Sequence, residues 1–154
     1  MKKLFIPLLM VFLCGSIYAQ DTKNSLQANI LYGSKIETAG FGLTFNLTGK
    51  KHEFSPSISF YFPKDDIKAT EINFDYHRLY GIGERVKLFP IIGFALSNWN
   101  GDYIEDKTKF GVNLGAGGRY DINEKFHAGF QFRYSALTNS GSQSVPMLTI
   151  GYKL

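Results

Sequence analysis

The stretch FHAGFQFRYS, residues 126–135, alternates strictly between apolar and polar side chains. One side carries Phe126, Ala128, Phe130, Phe132 and Tyr134, and the other carries His127, Gly129, Gln131, Arg133 and Ser135. A period of two residues is typical of a β-strand, because successive side chains point to opposite faces. The stretch therefore predicts a strand of about ten residues with one continuous apolar face.

The same alternation recurs along the chain and predicts eight antiparallel strands. We place them at about 25–34, 39–48, 52–62, 68–80, 86–97, 109–120, 125–137 and 145–154. Compact, turn-forming connections at 48–51, 81–85 and 121–124 alternate with connections at 35–38, 63–67, 98–108 and 138–144, the last two longer and polar.

Two features disturb the pattern. In the segment 86–97, Phe89 and Ile91 stand opposite the apolar face that Leu88 begins, so this strand is the least regular. Prolines at 56, 90 and 146 each remove one hydrogen-bond donor from the sheet, and we expect a bulge or a strand end at each.

Composition limits the classes of protein that the chain can belong to. The 154 residues hold 17 basic and 13 acidic side chains, a formal net charge of +4, with 16% aromatic residues. This is one domain, too aromatic for a disordered tail. Its basic residues are too scattered for a nucleic-acid surface, so no nucleic-acid partner is expected. The single cysteine excludes an internal disulfide.

Residues 1–19 have the layout of a secretory signal peptide. Lys2 and Lys3 precede an apolar run at 4–14, and Ala19 offers a small residue for cleavage before Gln20. The apolar run is too short to span a membrane as a helix, and no stretch of the remaining domain, 20–154, is long and apolar enough. Lipidation at Cys14 is the alternative, but the large Leu13 before it disfavours this.

The chemistry of the two strand faces favours a membrane barrel. A soluble, lipocalin-like barrel that binds an apolar ligand would also alternate, with its aromatic face lining the pocket. Here, however, the polar face is rich in Gly, Ser and Asn, which are poor strand residues in water but fit the narrow lumen of an eight-stranded barrel. Aromatic residues near the strand ends suit the two membrane interfaces; they are Tyr32, Phe62, Tyr80, Phe110, Tyr120, Phe126 and Tyr152.

Three stretches carry a resemblance to a known family: the junction Ala19-Gln20, the segment FGVNLGAGGRY at 110–120 and the ending LTIGYKL at 148–154. The chain resembles the small eight-stranded outer-membrane β-barrel proteins, the OmpX and OmpA-transmembrane-domain group of Gram-negative bacteria, and the short outer-membrane barrel proteins of Bacteroidota. The resemblance implies an all-β, up-and-down transmembrane barrel that contacts outer-membrane lipid, uses the barrel-assembly machinery, and keeps both termini and the turns at 49–51, 81–85 and 121–124 in the periplasm. The family usually ends in Phe, where this chain has Leu154.

The polar face supplies the candidate functional residues. A luminal polar network is predicted from Glu53, Glu71, Asp75, His77, Lys87, Arg119, His127, Arg133 and Lys153. Buried charges must be paired, so we interpret the network as a plug of ion pairs rather than as an ion path. A metal site on His77 and His127 is the alternative for the histidines, but no third ligand is visible, and neither a metal nor a cofactor is expected.

The connection 98–108 is the predicted surface contact, with Trp99, Asp102, Tyr103 and Glu105 as its candidate residues for an extracellular partner. Alternatively, Trp99 anchors the barrel in the membrane interface. Asp75, His77 and a luminal Ser57 or Ser135 include the residue types of a catalytic triad, but no enzyme motif accompanies them. The sequence thus predicts a monomeric outer-membrane protein with a structural or surface-interaction role. A lipid-modifying enzyme or a narrow pore ranks third, behind the soluble carrier.

Overall fold

The computed structural model describes residues 24–101, 104–138 and 141–154, with the backbone alone at 104–107. The signal peptide predicted at 1–19 lies outside these ranges. The strands are β1 (Ser25–Gly33), β2 (Thr38–Thr48), β3 (His52–Lys64), β4 (Ile67–Arg78), β5 (Tyr80–Ile82), β6 (Val86–Gly101), β7 (Ile104–Asp121), β8 (Phe126–Leu137) and β9 (Gln143–Lys153). Because β4 and β5 are two pieces of one wall strand, interrupted at Leu79, the wall has eight strands, as the alternation predicts.

The sheet closes on itself. Every strand is antiparallel to its neighbours; β4 and β5 both pair with β6, and β1 pairs with β9 through contacts such as Ser25 with Lys153. The closing seam continues to the chain end, where the Leu154 amide donates to the Asn24 carbonyl at 2.8 Å. Closure satisfies backbone groups that lipid cannot hydrogen-bond. The described ranges contain no helix that is long and apolar enough to cross a membrane.

The apolar face of each strand points outward. Phe94 and Ile150 are 56% and 54% exposed, whereas Asn73 is fully buried inside the barrel. The aromatic residues predicted for the interfaces are also exposed. A soluble ligand carrier requires the opposite arrangement, so the lipocalin-like alternative is wrong. Inside, glycines make room for rings: a side chain at Gly117 would meet Phe89, and one at Gly151 would meet His127.

The lumen has apolar side chains near both ends. We call the end with residues 24 and 154 the termini end and the opposite end the loop end. Along β4, the inward side chains run in the order Ala69, Glu71, Asn73, Asp75 and His77, and Leu79 follows. Ala69 belongs to a buried cluster at the loop end with Leu31, Ile36, Tyr61, Trp99, Val145 and Met147. Leu79 belongs to a second cluster with Phe89 and Ile91. The polar layer lies between them.

The prediction of a long loop at 98–108 is wrong. β6 continues to Gly101 and β7 begins at Ile104, with Asn98 paired to Thr108 in the ladder and a register shift after Trp99. Outside the hydrocarbon layer a strand does not need an apolar outer face, so the loss of alternation here does not end the strand.

The prolines are accommodated without bulges. Pro56, Pro90 and Pro146 stay in register with Phe74, Ala116 and Phe132. The register shifts lie elsewhere, between Tyr61 and Lys64 and after Trp99. Each proline occupies an outward position in the alternation and costs the sheet one donor. Pro90 is exposed there, whereas neighbouring side chains cover Pro56. The expected bulge at each proline is therefore absent.

Candidate functional site

A group of ion pairs, which we call the central cluster, crosses the middle of the lumen. Arg133 on β8 reaches two carboxylates on β4: its Nη2 lies 2.7 Å from Glu71 Oε1, and its Nη1 lies 3.1 Å from Asp75 Oδ2. All three side chains are almost fully buried. Because β6 and β7 separate β4 from β8 in the closed wall, these contacts join strands that are not neighbours and cross the lumen.

Amide side chains complete the central cluster. Asn113 Nδ2 donates to Asp75 Oδ1 at 2.8 Å and to Asn73 Oδ1 at 2.9 Å, and Ser135 Oγ donates to Asn113 Oδ1 at 2.7 Å. On the other carboxylate, Gln143 Nε2 donates to Glu71 Oε2 at 3.0 Å. One guanidinium therefore faces two carboxylates, and amides stabilise the remaining acceptor positions. Sequence reasoning missed Asn113, although it falls on the polar face of its predicted strand, and Gln143, which it placed in the connection 138–144 rather than at the start of β9.

A second group, the Glu53 cluster, lies nearer the termini end. Glu53 is 1% exposed, and its Oε2 accepts from Arg119 Nη1 at 2.8 Å and from Thr48 Oγ1 at 2.6 Å. Its Oε1 lies 3.0 Å from His77 Nδ1. Residues from β2, β3, β4 and β7 thus meet on one carboxylate.

Phe89 is buried in the lumen beside the Glu53 cluster. The His77 ring stacks on Phe89 at a centroid distance of 4.6 Å, and the Arg119 guanidinium carbon lies 5.8 Å from the same ring centroid. Aromatic stacking and cation–π contact fix both polar side chains against an apolar surface. The inward phenylalanine that made segment 86–97 irregular therefore has a structural role.

The two luminal histidines have different partners. His77 contacts Glu53 and Ser55, whereas His127 Nε2 lies 3.4 Å from Gln27 Oε1. Within the described ranges, no group of three or more His, Cys, Asp or Glu side chains is arranged to hold a metal ion. The geometry gives no support to the two-histidine metal alternative.

Lys87 and Lys153 of the predicted network form a separate group, the rim cluster, at the termini end. Their ammonium groups lie 3.4 Å and 2.9 Å from the two carboxylate oxygens of Asp121. These side chains are partly exposed, unlike those of the central cluster. Sequence reasoning missed Asp121 because it read the residue as part of a turn, whereas the residue ends β7 and points toward both lysines.

Trp99 is not the surface residue that the sequence suggested, in either of the two roles considered. It is 6% exposed and lies inside the barrel, where its Nε1 donates to Ser97 Oγ at 2.8 Å and Lys109 Nζ lies 3.8 Å from its ring centroid. The alternation of β6 continues past Ser97 and turns the indole inward. Asp102 and Tyr103, together with the side chain of Glu105, lie outside the described residues.

The arrangement does not form a catalytic triad. Such a triad needs the serine and the carboxylate on different nitrogens of the histidine. Here Ser55 Oγ and Glu53 Oε1 both approach His77 Nδ1, at 3.2 Å and 3.0 Å. Asp75 binds Arg133 and Asn113, and Ser135 binds Asn113.

The described fold matches solved outer-membrane barrels. The N-terminal β-barrel domain of Pseudomonas aeruginosa OprF superposes with a TM-score of 0.71 at 18% identity, over 87% of this chain and all of that one. OprH from P. aeruginosa gives a TM-score of 0.66 at 14% identity, over 86% of this chain and 99% of that one. Ail, the attachment invasion locus protein of Yersinia pestis, gives 0.61 at 17% identity, over 86% and 97%. At these identities the matches show the fold alone.

A sequence-family comparison settles the membership. No curated protein sequence matches the chain significantly. The family described as outer membrane protein beta-barrel domain matches over residues 14–153, nearly the whole chain. With the closed eight-stranded wall and its outward apolar face, this match identifies the chain as a member of the outer membrane protein beta-barrel domain family and as an integral β-barrel of the Gram-negative outer membrane.

Proposed function

We propose that this protein is a plugged, non-conducting barrel that presents its loop end at the cell surface. The observation that carries the proposal is the pair of contacts from Arg133 to Glu71 and Asp75, which bridge the lumen at side-chain exposures of 0–6%. Water-filled pores expose the charges that line them, whereas these charges are sealed against one another.

The apolar clusters support the same conclusion. Ions that entered from the loop end would meet the cluster around Trp99 and Tyr61 before they reached the central cluster. Between the central cluster and the termini end, the ring of Phe89 stacks on that of His77. An eight-stranded wall leaves an interior just wide enough for side chains, so no continuous water path is expected.

Planar-bilayer recording tests the plug. The wild-type protein is expected to show no stable conductance. The triple variant Arg133→Ala/Glu71→Ala/Asp75→Ala removes the central cluster, and any conductance should first appear in this variant. Asp121→Ala is the matched control, because it removes a carboxylate from the rim cluster and leaves the central cluster intact. A large, stable conductance of the wild-type protein contradicts the proposal.

The hairpin of β6 and β7 is the part that we propose to face an extracellular partner. The pairing of β7 with β8 begins at Gly111, so the backbone at 104–109 extends beyond the described end of β8. The proposal keeps 98–108 as the contact region, but Trp99 is not one of the residues that make the contact, because it lies inside the barrel. Ail, the attachment invasion locus protein of Yersinia pestis that shares this fold, is named for attachment, which agrees with surface presentation.

Epitope insertion tests the presentation. A tag placed between Asp102 and Tyr103 should be detected by antibody on intact cells. The matched tag in the turn at 122–125 should be detected only after the outer membrane is permeabilised. The reverse pattern would place the loop end in the periplasm and contradict the proposal. A gel distinguishes a tag that is hidden from a protein that has not folded. If the first insertion prevents folding, the protein loses its heat-modifiable migration.

We further propose that the barrel-assembly machinery recognises β9, the strand that closes the wall. Tyr152 lies next to the last residue of this strand and Leu154 follows it, and Tyr152 packs edge-on against Phe126 at 5.2 Å between ring centroids. Tyr152→Ala should lower the folded fraction in cells, whereas Leu154→Phe, which restores the family's usual ending, should raise it. Tyr134→Ala, another outward aromatic on a different strand, is the control.

We also propose that the protein has no catalytic role, since His77 offers a single nitrogen to both Ser55 and Glu53. Incubation with lipid A and phospholipid should leave both unchanged by mass spectrometry. A cleaved or transferred acyl chain would overturn this part of the proposal.

A further inference from the structure

One lipid-facing groove differs from the others in the side chains at the end of the groove that lies nearest the termini end of the barrel. We call it the β7 groove; it has a volume of about 590 Å³. Ala116 and Gly118 form its floor on β7, and it is walled by Leu88 and Pro90 on β6 and by Phe130 and Phe132 on β8. A side chain at Gly118 would meet Leu88, so the floor is low because this position has no Cβ.

Two tyrosines stand where the groove reaches the termini end. Tyr120 is the next outward residue of β7 after Gly118, and Tyr80 pairs with Leu88 beside the wall. Each tyrosine contacts an arginine. Arg85 Nη1 donates to the Tyr120 hydroxyl at 3.3 Å, and the Arg78 guanidinium carbon lies 5.9 Å from the Tyr80 ring centroid. Both arginines are exposed.

The position of these pairs fits the headgroup layer of a bilayer. Tyrosines at the ends of barrel strands lie at the membrane–water interface, with the ring in the apolar layer and the hydroxyl outside it. A guanidinium held by such a hydroxyl lies at the level of lipid phosphates. Its planar donors suit a phosphate, which accepts two parallel hydrogen bonds.

Charge favours an anionic lipid at this end. The turns at 49–51, 83–85 and 122–125 hold four basic side chains, Lys50, Lys51, Arg85 and Lys125, against Glu84 and Glu124. At the loop end the described turns at 34–37 and 65–66 hold Lys35 against Glu37, Asp65 and Asp66. The electrostatic potential at the termini end is therefore positive and attracts anions.

We propose that the β7 groove is a binding site for one anionic phospholipid of the leaflet at the termini end. Its acyl chain lies over Ala116 and Gly118, and its phosphate contacts Arg85 and Arg78. A second groove is the internal comparison. It has a volume of about 430 Å³ around Ala28, and no tyrosine is among the described residues that line it, whereas Tyr80, with Arg78 over its ring, lines the β7 groove.

Native mass spectrometry from nanodiscs of equimolar phosphatidylglycerol and phosphatidylcholine tests the proposal. The wild-type protein should retain one phosphatidylglycerol with about tenfold preference over phosphatidylcholine, the factor that one charge-assisted contact supplies. Ala116→Trp should abolish retention, and Ala28→Trp, which fills the second groove, should not. Arg78→Gln/Arg85→Gln should remove the preference, whereas Lys50→Gln/Lys51→Gln, an equal charge change at another turn, should keep it.

The remaining outcomes contradict the proposal. Equal retention of both lipids means that the groove selects no headgroup. Retention that survives Ala116→Trp places the lipid elsewhere. A dimer that Ala116→Trp dissociates assigns the groove to a second copy of the chain. If Ala116→Trp does not fold, the double arginine variant still decides, because its changes lie at a strand end and in a turn.

Discussion

Arg133 and Glu71 bind each other across the barrel at 2.7 Å between Nη2 and Oε1, with side-chain exposures of 2% and 0%. β6 and β7 separate their strands in the wall, so the pair connects non-neighbouring strands across the lumen. The same guanidinium also binds Asp75. Its loss would leave two buried carboxylates without a counter-charge.

Arg133→Met should destabilise the barrel by about 3–5 kcal/mol, because removal of one partner leaves buried charge uncompensated. Urea unfolding in phospholipid vesicles, followed by gel migration, measures this change. Lys125→Met, which removes an exposed charge from a turn, should change the free energy of unfolding by less than about 0.5 kcal/mol. A similar effect for both variants would show that the central cluster does not stabilise the fold.

Neutralising the carboxylates as well should recover most of that loss. In Arg133→Met/Glu71→Gln/Asp75→Asn no ion remains in the central cluster, and removal of a whole buried charge group is often close to neutral. The coupling between the sites follows from comparison with Arg133→Met alone and with Glu71→Gln/Asp75→Asn alone. Strict additivity of the free energies would contradict the pairing seen here.

Glu53→Gln should destabilise the termini end by about 1–3 kcal/mol, because an amide cannot accept from Arg119, Thr48 and His77 as a carboxylate does. The temperature at which folded migration is lost on a gel should fall accordingly. Glu84→Gln, an exposed change of the same chemistry in a turn, serves as the control. An unchanged temperature for Glu53→Gln would mean that the cluster makes no net contribution.

A charge on the lipid-facing surface should have a cost that depends on depth. Leu114 lies in the middle of β7 and is 54% exposed, whereas Ile122 follows the strand and is 48% exposed. Leu114→Arg should destabilise the barrel by about 2–4 kcal/mol in vesicles and Ile122→Arg by less than about 1 kcal/mol. Equal effects in vesicles would show that the two outward surfaces meet the same medium.

The turn after β1 supplies a prediction on pH. The Lys64 ammonium lies 2.8 Å from Glu37 Oε2 and, by its hydrogen bond and charge, lowers the pKa of the Glu37 carboxyl from its ordinary value. The pair is therefore intact above the ordinary pKa of a glutamate and is lost as pH falls through the lowered pKa. In Lys64→Met, an NMR titration of the Glu37 carboxyl carbon should return to the ordinary pKa. If the titration midpoint of Glu37 is the same in Lys64→Met as in the wild-type protein, the pair does not form.

The strand number and the orientation of the faces could be predicted from the sequence, because lipid requires an apolar side chain at nearly every outward position. Phe94 and Ile150 follow from the two-residue period alone. Beyond the hydrocarbon layer this requirement ends, so the period gave no signal that β6 and β7 continue to Gly101 and from Ile104. For the same reason the inward position of Trp99 could not be predicted.

The members of the polar network could be predicted, but not their pairing. Arg133 and Glu71 both fall on the polar face of a strand. Which of them meet depends on the stagger of strands that are not neighbours, and local alternation does not encode that stagger. Asn113 escaped notice because attention to formal charge passes over amides, although a buried carboxylate needs neutral donors as much as a cation. Gln143 escaped notice because it fell in the connection predicted at 138–144, whereas β9 begins at this residue.

The seam between β1 and β9 also sets how the chain must reach its membrane. Ser25 of β1 and Lys153 of β9 come from opposite ends of the described sequence and are paired in the seam. The free edge of each of these two strands is covered only by the other strand. A nascent chain that lacks 143–153 would hold an unsatisfied β-edge along Ser25–Gly33, a template for aggregation. The wall can therefore close only after 143–153 has been delivered, so folding of the barrel has to follow translocation of the whole described sequence.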